Sequence, residues 1–325
     1  LLSTVEKELR IVFLGTSEFA LPALERLISS DYDVVAVYTQ PDRPAGRGRR
    51  ERASPVKDTA LEHGRPVFQP ARLGAPQAIA ELASLRPDVM VAAAYGQILR
   101  QSVLDLPRLG VLNIHPSLLP RYRGASPVAA AILNGGEETG VTIMRMVLAL
   151  DEGPILSQRK VAIEPQDTTG RLTRRLAEEG AALLMATLPD YVNGKLTPAP
   201  QDESLASYVS VVKKEDGLVD WRLPALRISR QVRAYNPWPM AFTHLDGAVL
   251  QIHEAWPLEG DNGEPPGTVV SLPSDAKGPA AEAGFAVQTG EGLLAVIRVQ
   301  KEGRRALSAR EFARGERGLR GRRLG

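Results

Sequence analysis

Through the first 115 residues, short apolar runs alternate with windows of helical periodicity, and that alternation leaves few folds open. The run 10–15 is apolar after Arg10 and closes on Gly15. Behind it Phe19, Leu21, Leu24, Leu27 and Ile28 recur at helical spacing, with Thr16 or Ser17 as cap. Apolar runs return at 34–39, 67–69, 89–94 and 111–114, with helical windows around 54–63 and 76–85 between them. Runs this short and this continuously apolar read as strands buried on both faces. Strands separated by helices pair in parallel through right-handed crossovers, so a mostly parallel sheet covered by helices is expected. The runs 141–146 and 155–163 read as later strands. Residues 168–193 read as a long helix with Leu172, Leu176, Leu183 and Leu184 turned inward.

A chain of 325 residues, 43% of them hydrophobic, can hold two modest cores, and the composition shifts where a second would begin. Residues 194–204 carry Pro198 and Pro200 among mostly polar neighbours and read as a linker. Beyond them, short β-like runs at 249–253, 267–271, 285–289 and 293–299 are spaced by Gly, Pro and Asp, the pattern of a small β-barrel. The expected division is an α/β domain over 1–193, a linker over 194–204 and a β domain over 205–325. No run approaches the roughly 18 apolar residues of a membrane-spanning helix. The opening residues Leu1 to Glu8 do not read as a secretory signal, and without an initiator Met the chain reads as trimmed or extended there. The absence of cysteine excludes disulfides, thiolate catalysis and cysteine-based zinc sites, and fits a reducing cytoplasm.

The net charge of +2 hides an uneven distribution. Residues 298–325 hold ten Lys or Arg against three acids, +7, which leaves −5 for everything before them. A second basic cluster comprises Arg43, Arg47, Arg49, Arg50 and Arg52. Such clusters attract a polyanionic partner. They are equally the make-up of a solvated tail and a solvated loop, and charge alone leaves both readings open.

A dinucleotide fingerprint needs three glycines after the first strand, and only Gly15 is present, which removes the dehydrogenase reading as the favoured one. The densest polar group is Asn113, His115 and Ser117 at the carboxyl end of an expected strand, where open α/β sheets bind ligands. Strand alternation puts Asn113 and His115 on one face. An amide donor beside an imidazole can stabilise a developing oxyanion and move a proton. Asp151, in an Asp-Glu-Gly-Pro turn, could orient His115 and raise its basicity. An Asn-x-His at a strand end is also common as plain structure, and Asp before Gly-Pro as a turn former. These residues alone support an acyl-transfer or hydrolytic site and nothing finer. No second His lies near His115 in sequence, so no metal is expected.

The stretch 113–127, Asn-Ile-His-Pro-Ser-Leu-Leu-Pro-Arg-Tyr-Arg-Gly-Ala-Ser-Pro, resembles the signature of the folate-dependent formyltransferases. That signature is shared with formyltransferases acting on sugars and on glycinamide ribonucleotide. Four further stretches, 39–48, 94–96, 138–144 and 233–240, resemble the branch that acts on methionyl-tRNA, and the basic loop and the Asn-Pro-Trp-Pro segment narrow it to that branch.

The resemblance implies a Rossmann-like, mostly parallel sheet followed by a C-terminal OB-like β-barrel, in a cytoplasmic, monomeric enzyme of translation initiation. It implies 10-formyltetrahydrofolate as formyl donor and methionyl-initiator tRNA as acceptor. Position by position, Asn113, His115 and Asp151 match the catalytic trio. Ser117, Leu118, Leu119 and Pro120 match the segment lining the folate site, and residues 90–98 would add to the pterin pocket. Arg43 and Arg47 lie in the loop that this family wedges against the tRNA acceptor end, and Lys213 and Lys214 match a basic contact region of the second domain. In the expected mechanism, Asn113 and a protonated His115 hold the formyl oxygen while Asp151 keeps His115 charged. Pro116 stands where many relatives have Gly, and Glu152 occupies a variable position; neither disturbs the trio.

Overall fold

The computed structural model describes residues 9–45 and 50–325. They fall into two compact units. The first comprises the chain up to Pro127, Glu138–Ala162 and Thr173–Val209; the second comprises Val128–Glu137, Ile163–Leu172 and Ser210–Gly325.

The strands of the first unit are β1 (Arg10–Gly15), β2 (Asp33–Tyr38), β3 (Arg43–Ala45), β4 (Arg50–Arg52), β5 (Val67–Phe68), β6 (Val89–Ala93), β7 (Val111–His115), β8 (Arg123–Gly124), β9 (Glu138–Arg145) and β10 (Ile155–Ala162). The helices met along this part of the chain are α1 (Leu21–Ile28), α2 (Pro55–Glu62), α3 (Pro76–Ser84), α4 (Gln101–Leu104), α5 (Pro127–Leu133) and α6 (Thr169–Val192). Seven strands form one sheet in the order β10-β9-β7-β6-β1-β2-β5. The five from β7 to β5 are parallel, and β9 and β10 run antiparallel along one edge. The sheet is thus α/β and mostly parallel, as the alternation requires. Its apolar runs are fully covered: Ile11, Val12, Phe13 and Leu14 are all 0% exposed. Glycine inside α6 has a packing reason. A Cβ on Gly180 would lie 2.7 Å from Ile114 and 3.0 Å from Val141, so only glycine lets the helix approach the sheet this closely.

The strand order reverses between β1 and β6, the crevice where such sheets usually hold a dinucleotide. Here it is stitched across. Thr16 Oγ1 donates to the Tyr95 carbonyl (2.8 Å), and Gln40 Nε2 donates to the carbonyls of Tyr95 (3.3 Å) and Gly96 (2.6 Å). Gly15 serves packing, since a Cβ there would meet Phe13 and Ala20 inside 3 Å. The missing fingerprint glycines therefore coincide with a crevice bridged by side-chain hydrogen bonds.

Residues 194–204, read as a linker from composition, are hydrogen-bonded to the first unit. Ala199 bridges Ile155, and just beyond, β11 (Tyr208–Val209) pairs with β8.

The second unit contains α7 (Ala225–Ala234), β12 (Ala241–Leu245), β13 (Ala248–Leu258), β14 (Val269–Val270), β15 (Phe285–Gln288), β16 (Leu293–Lys301), β17 (Leu307–Ser308) and α8 (Ala309–Gly315). Its sheet is antiparallel, ordered β12-β13-β16-β15-β14 with β17 on β16. The sheet curls into a half-barrel whose end strands, β12 and β14, are not paired with each other. The C-terminal residues fill that gap. Val269 N–H donates to Arg322 O and Leu324 N–H to Gly267 O on one side, and Gly325 N–H to His244 O on the other. Trp221, Ile228, Val232, Leu250, Ile252, Val296 and Phe312 form the core, and Trp221 Nε1 finds Thr243 Oγ1 at 3.0 Å. Helices α7 and α8 accompany this sheet, where the sequence pattern indicates only β-like runs. The basic C-terminal stretch is no free tail: it supplies the end of β16, β17, α8 and the closing segment, with Arg322 paired to Asp246 and Glu316.

Candidate active site

Strand β7 ends at His115, and its alternation puts Asn113 and His115 on one face, with Met144 and Thr142 of β9 as their register partners. The His115 imidazole is buried. Its Nε2 lies 3.1 Å from the Tyr122 carbonyl, so Nε2 carries a proton and donates it there. Its Nδ1 lies 3.7 Å from Asp151 Oδ2, and that carboxylate oxygen accepts the Gly124 N–H at 2.8 Å. Two residues in the left-handed region frame the pair: Tyr122 (φ 61°) and Asp151 (φ 54°). Non-glycine residues hold that conformation only where the surroundings enforce it, which is common at functional sites.

Sequence reasoning gave His115 a raised basicity. The structure reverses the direction: burial pushes the imidazole below its ordinary value, against the opposing pull of the Asp151 carboxylate and the Tyr122 carbonyl. Burial is a property of packing that spacing does not display. Asn113 is half-buried, and its side-chain amide has no hydrogen-bond partner among the described residues. It is therefore free to donate to a bound oxygen.

The segment after β7 is pinned from behind. Thr142 Oγ1 donates to Ser117 O (2.6 Å) and accepts from Leu119 N (3.1 Å), while Gln158 Nε2 donates to Leu119 O (2.8 Å). Ser117 is fully buried with its hydroxyl on Arg121 O (2.7 Å), and Leu119 is buried too. Leu118 and Pro120 are half-buried. Gly140 makes room for Leu118, since a Cβ on Gly140 would sit 2.4 Å from Leu118 Cδ2 and 2.2 Å from Arg159 O. Of the run 90–98, Ile98 is 87% exposed, and the loop before Asp151 exposes Leu148 and Leu150. Leu99 and Met146, neighbours of these exposed residues, belong to one buried cluster.

Arg43 begins β3, paired with Arg52 of β4; Arg47 lies outside the described residues. Lys213 and Lys214, in the second unit, are exposed, and Asp216 accepts the Lys213 N–H at 2.7 Å. Among the described residues no group of three His, Asp or Glu is placed to hold a metal, and no helix is long and apolar enough to cross a membrane.

Residues the sequence reading passed over complete the site. Arg123 is 0% exposed, and Gln201 donates to the carbonyls of Asp151 and Gly153, both at 2.7 Å. Arg123 lay inside the quoted signature but drew no attention as a charge with nowhere to go but inward. Gln201 lay in the presumed linker, where composition carries no signal of contact.

Residues 9–188 match the formyl transferase family and residues 211–317 the formyl transferase C-terminal domain. The chain is 53% identical to a methionyl-tRNA formyltransferase of Roseiflexus sp. (strain RS-1), covering 98% of this chain and 95% of that relative. It is 47% identical to one from Hydrogenovibrio crunogenus, covering 94% and 95%. Among solved structures, HypX from Aquifex aeolicus in complex with tetrahydrofolic acid aligns with a TM-score of 0.63 at 20% identity, over 95% of this chain and 48% of HypX. The sugar 3N-formyl transferase WlaRD aligns at 0.62 and 17% identity, over 91% and 99%. These two likenesses concern the fold. With family matches across both units and near-full-length relatives at this identity, the chain belongs to the formyl transferase family.

Proposed function

We propose that this chain transfers the formyl group of 10-formyltetrahydrofolate to the α-amino group of methionyl-tRNA, above all the initiator species, for translation initiation in the cytoplasm. Near-full-length relatives named for that reaction support it. The observation that carries the chemistry is the buried His115 facing Asp151 at 3.7 Å, two residues along the strand face from an uncommitted Asn113 amide.

A free α-amino group has a pKa of about 7.7–8.0, and esterification of the carboxylate lowers it, so the amine attacks uncharged without a strong base. As the new C–N bond forms, Asn113 donates to the oxygen on which charge develops. His115 differs here from the charged donor expected from sequence. Its Nε2–H is committed to Tyr122, and burial favours the neutral ring, so Nδ1 with Asp151 is suited to take the proton that the amine loses. The pair returns that proton to the folate nitrogen as the formyl C–N bond to the carrier breaks. No metal takes part in this scheme.

The folate would lie against Leu118 and Pro120, with Ser117 and Leu119 holding the segment from within. The exposed Ile98, Leu148 and Leu150 offer apolar surface for a flat pteridine. The tetrahydrofolic acid complex of HypX, which shares the fold, supports a folate donor. We assign catalysis to residues 1–193 and tRNA binding to an OB-like domain over 205–325 in a monomeric protein. Arg43, Arg47, Lys213 and Lys214 would contact phosphate, which positions the tRNA without reading its sequence. The deciding experiment incubates the protein with 10-formyltetrahydrofolate and either methionyl-tRNA or small amines such as aminosugar nucleotides. Transfer to methionyl-tRNA is expected; transfer to the small amine alone, or to neither, refutes the reading.

A further inference from the structure

Arg123 is a cation with 0% exposure whose five N–H donors are all taken up. Nε and Nη2 reach Gln201 Oε1 (3.1 and 2.9 Å), Nη1 and Nη2 reach the Glu203 carboxylate (2.9 and 2.7 Å), and Nη1 also reaches the Tyr208 hydroxyl (2.8 Å). The Tyr208 hydroxyl in turn donates to Glu152 (2.9 Å), the residue after Asp151. Every one of these partners lies either in the segment 201–208 or beside the candidate site. The backbone repeats the pattern. Arg123 N–H donates to Ser207 O (2.8 Å), and Tyr122 N–H to Ser207 Oγ (2.9 Å). Gly124 packs so tightly on β11 that a Cβ would lie 2.3 Å from Val209 O.

The residues on either side of Arg123 are the ones that hold the pair. The Tyr122 carbonyl fixes His115 Nε2, and the Gly124 N–H fixes Asp151 Oδ2. Gln201 is the second tether, since the same side chain that accepts from Arg123 donates to the two turn carbonyls at Asp151 and Gly153. Asp151 is thus held twice, by its carboxylate through the 122–124 loop and by its backbone through Gln201. Both holds converge on one buried guanidinium.

We propose that Arg123 and Gln201 are positioning residues for the His115–Asp151 pair, and that the segment 201–208 is the strap through which they act. The proposal rests on the reading of that pair as the reacting groups. A guanidinium fork suits the role, since its planar donors fix two acceptors in one geometry, which an ammonium cannot do.

The test is a set of kinetic measurements on Gln201→Leu, Asp151→Asn and the double variant, with methionyl-tRNA and 10-formyltetrahydrofolate. Gln201 is half-buried at the surface, so the fold should survive its replacement; Arg123→Lys, checked by circular dichroism, provides an independent variant. For a displacement of the carboxylate by an ångström or less, kcat of Gln201→Leu should fall about 10- to 100-fold while both KM values move less than about threefold. Because Gln201 acts through Asp151, adding Gln201→Leu to Asp151→Asn should cost almost nothing further, whereas a merely structural role would give additive losses. Additive losses, or a folded Gln201→Leu with kcat within twofold of the parent, overturn the proposal. Undiminished turnover in Asp151→Asn would instead overturn the reading of the pair itself.

Discussion

Replacing Asp151 by Asn separates the charge of this residue from its shape. The Asn side-chain oxygen can still accept the Gly124 N–H that now bonds Oδ2 at 2.8 Å, so the turn keeps its tether. What disappears is the negative charge 3.7 Å from His115 Nδ1. At an effective dielectric of about 20, a unit charge at that distance stabilises an imidazolium by up to about 4.5 kcal/mol. If the imidazole takes the amine proton in the transition state, losing that stabilisation slows turnover by up to about 2,000-fold. Stability should change little, by about 1 kcal/mol or less, because the backbone donor keeps its acceptor. Asp151→Ala should show the same kinetic defect with a larger loss of stability, since the Gly124 N–H then loses its partner. Single-turnover formylation with saturating methionyl-tRNA, alongside urea unfolding of both variants, makes the comparison. Turnover of Asp151→Asn within tenfold of the parent would refute the proton-transfer role, and equal destabilisation by Asn and Ala would refute the geometry.

Asn113→Ala should cut kcat on the order of 100- to 1,000-fold without unfolding the protein, since its amide makes no internal bond; a smaller loss removes it from the oxyanion role. The depressed pKa of His115 makes stability pH-dependent with a definite sign. As pH falls below about 6.5 the unfolded chain takes up a proton that the folded imidazole resists, so stability is level above that value and declines below it. Urea midpoints at pH 7.5, 6.5 and 5.5 should fall more steeply for the parent than for His115→Gln, with the burial-lowered His253 contributing equally to both; parallel slopes contradict it. Gly153→Ala should destabilise the protein by at least about 1–3 kcal/mol, because its Cβ would come 1.7 Å from Arg145 O, and thermal melting reads this directly. Neutralising Arg47 should weaken tRNA use and lower its salt dependence while folate binding, followed by fluorescence, stays constant; equal loss of both excludes the loop assignment.

The parallel sheet was legible because strands buried on both faces must be nearly continuous in apolar residues, and β1, β6 and β7 are. Asn113 and His115 were legible as neighbours because alternation on one strand is a local rule. Asp151 was not placeable from spacing: β8, α5 and the antiparallel β9 separate it from His115, and the pairing of β7 with β9, with the Gly124 and Gln201 tethers, brings them together. Strands β8 and β11 have two residues each, too few for any periodicity, yet they anchor the loop that holds both groups. Helix α7 escaped notice although Ala225, Ile228 and Val232 share a face, because arginines between them mask the apolar stripe. The pKa direction of His115 was misjudged because a charged neighbour is visible in sequence whereas the loss of surrounding water is not.

The stitching of Thr16 and Gln40 onto Tyr95 and Gly96 has a mechanical consequence. Loops from three adjacent strands share carbonyl acceptors, so the centre of the sheet behaves as a fixed anvil. Apolar surface that could receive a bulky guest lies instead on the opposite flank, in the stretch between β9 and β10 where Leu148 and Leu150 face water.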